Sequence, residues 1–168
     1  MIRILFFAFG LSFVPISQGW AESPSTEVAL PANTVAYLSF NNQKHILSDM
    51  IILQQYLEYI LPQLESMEKS MRHLADDTPR PLLEAKVKTM EQLVSKTNAQ
   101  LNALNIQSHE VYDAIQLLKQ SNNLGLGVAQ EALKVPINLK KINQMMSKAN
   151  RVQTLMSKQL KQLRDQMR

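Results

Sequence analysis

From Ile46 onward the chain is written in sevens. Apolar residues stand at Ile46, Met50, Leu53, Leu57, Ile60, Leu64, Met67, Met71 and Leu74, in steps alternating four and three. That is the spacing of a heptad seam, not of a broad amphipathic stripe. A long helix with one narrow apolar edge needs another helix to cover it. The same spacing recurs at Leu83, Val87, Met90, Val94, Thr97, Leu101 and Leu104, and the frame runs on through Ser108, Val111, Ile115 and Leu118. A third apolar edge, Ile142, Met145, Met146, Ala149, Val152, Met156, Leu160, Leu163 and Met167, lies in the last stretch.

These edges predict long helices from about Gln43 to Ala75 and from about Ile137 to Arg168, with one or two helices between Leu82 and Gln120. Pro62 sits inside the first, at an outer heptad position where a bend or break leaves the seam intact. Asp77 or Thr78 can cap the next helix, with Pro79 or Pro81 near its first turn. The middle stretch runs unbroken to Gln120, or breaks near Asn105–Ser108 and restarts with Ser108 as N-cap. The break makes the arms more equal in length and is preferred. Ser121-Asn122-Asn123-Leu124-Gly125-Leu126-Gly127 holds two of the four glycines and reads as a loop. Val128–Leu133 then makes one or two helical turns before Pro136. The fold class is all-α: an elongated antiparallel bundle or coiled-coil hairpin of three to four helices.

Before the helices, Thr34–Phe40 alternates Val35 and Tyr37 between asparagines and is the one strand-like stretch. A single strand has no partner in its own sheet. It lies as an extended arm on the helices, or pairs with a second copy or another edge. Residues 22–42, with Pro24 and Pro31, form that extended N-terminal arm, and 43–168 form the bundle domain. Residues 1–21 read as an export leader, with Arg3 before the apolar run Ile4–Val14. The Gly19-Trp20-Ala21 ending predicts cleavage after Ala21 and a periplasmic mature chain. The absence of Cys removes both a disulfide framework and a thiol for lipid attachment within these residues.

Charge is divided unevenly. Residues 22–133 carry 8 Lys/Arg against 13 Asp/Glu, while residues 134–168 carry 9 against Asp165 alone. An acidic body is followed by a basic last helix, whose Lys140, Lys141, Lys148, Arg151, Lys158, Lys161 and Arg164 fall mainly off the apolar edge. These seven are the candidate interaction residues. The simplest role for them is to neutralise the acidic body; an acidic protein partner is the next. Nucleic acid is disfavoured because no Trp, Tyr or Phe follows Tyr112. A membrane-surface helix is disfavoured because the apolar edge has only Met, Leu, Val, Ile and Ala.

Other chemistry is weak. His73/Asp77 and His109/Asp113 are each spaced by four, but nothing in their spacing brings the pairs together as a metal site. Glu65/Glu68 and Glu84/Glu91 have the spacing of exposed helix faces. No nucleophile elbow or phosphate loop is present. Met50, Met67, Met71 and Met90 fall on seam positions, so packing accounts for them before copper binding does. No cofactor or metal is expected, and no enzymatic activity.

The expected function is a periplasmic interaction or scaffold protein, an accessory component of an envelope or secretion assembly, with homo-oligomerisation open. The alternative is a periplasmic chaperone or holdase, although the repeated Leu-Thr-x-x-Gln signature of small helical stress chaperones is missing. A secreted effector or membrane-active helical protein stands third.

Overall fold

The computed structural model describes residues 38–72 and 78–165. The export leader, the arm through Tyr37, and His73, Leu74 and Asp77 lie outside the described residues. Four helices follow one another: α1 (Gln43–Arg72), α2 (Arg80–Ala103), α3 (His109–Ala132) and α4 (Leu139–Asp165). At ~1.5 Å per residue, α1 is ~45 Å long.

Each helix begins where local chemistry allows it. Asn42 Oδ1 accepts the His45 N–H at 3.3 Å, and Asn138 Oδ1 accepts the Lys141 N–H at 3.0 Å. Both are side-chain caps three residues ahead of the donor. α2 starts on Pro79 with Pro81 in its first turn, where the missing N–H has no helical partner to lose. Pro62 does not end α1, which continues to Arg72; the ring lies on an exposed face.

The helices run up and down. Tyr56 Oη donates to Thr97 O at 3.2 Å and Lys86 Nζ to Ser70 Oγ at 2.8 Å, which sets α2 antiparallel to α1. Lys119 Nζ meets Asn102 Oδ1 at 2.6 Å, and Gln159 Nε2 meets the Glu110 carbonyl at 2.8 Å, so α3 and α4 reverse direction in turn. Burial pushes the Tyr56 phenol up from its ordinary value, against the opposing effect of the Thr97 hydrogen bond.

The predicted seam is the core. Ile46, Leu53, Leu57, Ile60, Leu64, Met67 and Met71 are buried and Met50 half-buried. The α1 residues meet Leu101, Ile106, Val111, Ile115, Leu118, Met156 and Leu163 in the main cluster. Met67 and Met71 join Val87, Met90 and Ala129 in a second cluster. Val128 and Ile142 centre a third, with Met145 and Met146 packed on it. Met50, Met67, Met71 and Met90 of the seam are therefore packing residues, and so are Met145 and Met146 of α4.

The preferred break is real: α2 stops at Ala103 and α3 starts after Ser108. Ser108 does not cap α3 with its own hydroxyl. Its Oγ donates at 2.6 Å to Asp49 Oδ2, which also accepts the Ser108 N–H at 2.6 Å and the Gln107 N–H at 2.9 Å. A carboxylate on α1 thus caps α3.

The expected loop at Ser121–Gly127 is corrected. All seven residues lie inside α3. Asn98 Nδ2 donates to Asn123 Oδ1 at 2.8 Å, and Asn122 Nδ2 donates to Asn98 Oδ1 at 3.2 Å. These pairs give the asparagines partners across the helix pair, so their local preference for turns is overruled. Gly127 faces Met145: a Cβ there would collide with the Met145 methyl. The glycine admits α4 at close range. The chain instead reverses after Leu133, through a cis Val135–Pro136 bond, before α4.

The strand-like arm is visible at its end. Ser39 forms an isolated parallel bridge with Ser108. Its N–H donates to the Gln107 carbonyl at 2.7 Å, and its carbonyl accepts the His109 N–H at 2.9 Å. Of the options for an unpaired strand, the arm laid on the bundle is the one seen for this residue.

Candidate functional site

α4 buries one side and leaves the other to solvent. Ile142, Ala149, Val152, Met156 and Leu163 are buried against the rest of the bundle. Lys140, Lys148, Arg151, Lys158 and Lys161 are all exposed, and Arg164 is half-buried. At 100° per residue those five exposed cations fall within one face, opposite the buried edge. From Lys140 to Lys161 the face extends ~31 Å along the helix.

Only one member of the set is paired to an acid among the described residues. Lys141 Nζ lies 2.8 Å from Glu131 Oε2, which Lys134 Nζ also approaches to 2.9 Å. The Lys141 ammonium, then Lys134, holds the Glu131 carboxyl below its ordinary value, and Glu131 raises Lys141 above its own. Glu131 is itself a buried residue at the end of α3. The pair of lysines therefore fastens the α3–α4 connection. Lys140, Lys148, Arg151, Lys158, Lys161 and Arg164 form no ion pair among the described residues. Of the seven, Lys141 alone makes a direct ion pair with the acidic body among the described residues.

Beside this face, α3 and α4 border an open groove of about 680 Å³. Leu117, Leu155 and Leu163 supply its apolar lining, with Gln116, Gln120, Gln159 and Gln162 among the polar groups. Lys158 lines it opposite the acids Glu110 and Asp113 of α3. The other candidate chemistry stays separate. His109 Nδ1 lies 3.1 Å from Asp113 Oδ2 as a partly exposed pair, and Phe40 stacks on the His109 ring at 4.4 Å. Glu65, Glu84 and Glu91 are exposed, with Glu84 held by Arg80 at 2.8 Å. No group of three or more metal-ligating side chains is found among the described residues.

One polar cluster escaped the sequence reading. Ser39 Oγ lies 2.8 Å from His45 Nδ1 and donates to the Gln107 carbonyl at 3.1 Å. Asn41 N–H donates to Glu110 Oε1 at 2.8 Å, and Asp49 is committed to Gln107 and Ser108. All of these bonds except Ser39–His45, which stays within the entry to α1, tie that entry onto the start of α3. The cluster holds segments distant in sequence, and no periodic pattern in one segment announces it.

Among the described residues no helix is long and apolar enough to cross a membrane. No curated protein and no solved structure matches the chain. A protein-family model does match, over residues 48–168. The matched stretch takes in most of α1 and all of α2, α3 and α4, and with it the whole basic face. The chain belongs to the family described as uncharacterised lipoprotein PM1805.

Proposed function

We propose that the protein is a non-enzymatic helical interaction protein of the bacterial envelope, facing the periplasm, and an accessory component of an envelope assembly. In this reading α4 presents its outer face to an acidic protein surface. The supporting observation is the line of five exposed cations, Lys140, Lys148, Arg151, Lys158 and Lys161, none of which forms an ion pair among the described residues. Complementary charge of this kind guides association and sets orientation more than it adds raw affinity. The lipoprotein description of the family supports an envelope location. A holdase that grips clients with methionines finds no support in Met67, Met71, Met90 and Met156, which are buried.

The test is a photo-crosslinking amino acid at exposed Thr154, between Arg151 and Lys158, in cells making the full chain. A discrete adduct to one acidic envelope protein is expected, and Lys148→Glu/Arg151→Glu/Lys158→Glu is expected to remove it without changing helicity. No adduct, or an adduct indifferent to the charge reversal, overturns the proposal.

A further inference from the structure

The end of the bundle formed by the α3–α4 connection and the start of α2 differs from the rest of the surface. Arg80 Nη2 donates to the Leu133 carbonyl at 3.0 Å, which brings these two segments together. Val135 is 79% exposed, Leu139 53% and Leu82 47%, and Pro79, Pro81 and Pro136 are exposed beside them. Lys134 and Lys140 flank Val135 and Leu139 in sequence, and both are exposed. The acids described at this end are engaged: Glu84 by Arg80, Glu131 by Lys134 and Lys141.

We propose that this end is a bilayer-docking tip, in which Val135 and Leu139 enter the headgroup boundary of an anionic phospholipid surface while Lys134 and Lys140 meet its phosphates. Exposed apolar side chains flanked by lysines match the two layers of such a surface, hydrocarbon below and negative charge above. The lysine stems let charged heads stay at phosphate level while the apolar groups go deeper. A protein groove is a poorer match, because the apolar groups sit at a turn and a helix start, with Val135 more exposed than any other large apolar residue described. The opposite end also exposes apolar rings, Phe40 and Tyr112, but beside Glu110 and Asp113, which an anionic surface repels. Attraction rests on the lysines and must be salt-sensitive. Contact at the surface also agrees with the lack of a membrane-crossing helix among the described residues. The tip is distinct from the α4 face proposed for a protein partner, and either can fail without the other.

The chain has no Cys, so a single introduced thiol can report from one place. Val135→Cys and, as the remote control, Ser157→Cys carry an environment-sensitive dye in the full chain. Each is mixed with vesicles of phosphatidylglycerol and phosphatidylcholine in equal parts, or of phosphatidylcholine alone. A blue shift at 135, with quenching by a lipid-borne quencher, is expected on the mixed vesicles only, and no change at 157. Lys134→Ser and Lys140→Ser are each expected to weaken the response about fivefold, and high salt to abolish it. No response at 135, whether or not the chain floats with the vesicles, overturns the proposal. An equal response on neutral vesicles overturns the role of the lysines. A shift at 135 that grows with protein concentration in the absence of lipid assigns the tip to a second copy instead.

Discussion

Replacing Asp49 by Ala should loosen the bundle more than its single carboxylate suggests. The side chain is completely buried, and Oδ2 accepts three hydrogen bonds from Gln107 and Ser108. Gln107 is exposed and its N–H can turn to water, but Ser108 is fully buried. Two donors of Ser108 then lose a charged acceptor, at about 1.5 kcal/mol each. Asp49 Oδ1 is buried without a hydrogen-bond partner among the described residues, and Ala relieves that cost. The net loss expected is about 2 kcal/mol, or a fall in melting temperature of about 6 °C for a domain of this size. Asp49→Asn keeps an acceptor and should lose about 1 kcal/mol, the difference between a charged and a neutral hydrogen bond. Urea unfolding followed by helical circular dichroism measures all three proteins. If Asp49→Ala lies within about 0.5 kcal/mol of the parent, or Asp49→Asn is as harmful as Asp49→Ala, the carboxylate cap is not what fixes α3.

Two further outcomes follow from the α3–α4 packing. The Glu131 carboxyl titrates below its ordinary value of 4.5 when folded, so its stabilising effect is complete above that pH and fades as the pH falls through the folded value. Melting temperature against pH should therefore drop less steeply on the acid side for Glu131→Gln than for the parent; parallel curves refute the coupling to Lys141 and Lys134. At Gly127, Ala should be nearly neutral in a thermal melt. The gain of about 1 kcal/mol in helix propensity offsets displacement of the flexible Met145 end. Gly127→Leu should cost about 2 kcal/mol, because α4 itself must then move.

The heptad seam makes the core legible in the sequence itself. A narrow apolar edge can be satisfied in few ways, and Ile60, Met90, Leu101 and Ile115 occupy the buried positions that the spacing gives them. The break before Ser108 was also readable, though not its reason, because Asp49 stands 59 positions away. The loop expected at Ser121–Gly127 failed for the same kind of cause. Asparagine and glycine favour turns when judged locally, but Asn98 supplies partners for Asn122 and Asn123, and Met145 fills the space that Gly127 leaves. At the candidate site, helical spacing was enough to put Lys140, Lys148, Arg151, Lys158 and Lys161 outward. It could not show that Lys141 belongs to Glu131, since that pairing depends on how the connection after α3 turns. Val135 and Leu139 were hidden too, because exposure at a turn leaves no periodic mark.

The bridge between Ser39 and Ser108 also has a mechanical meaning. Its two backbone hydrogen bonds attach the chain entering the bundle to the start of α3, four residues before α1 begins. Tension applied from the N-terminal side reaches this crosspoint before it reaches the first turn of α1. Ser39 would have to leave both Gln107 and His109 before α1 could be peeled from its end, so the load passes into α3, the helix that packs against all three others. Anything tethered through residues ahead of Ser39 thus pulls on the middle of the bundle and not on its edge.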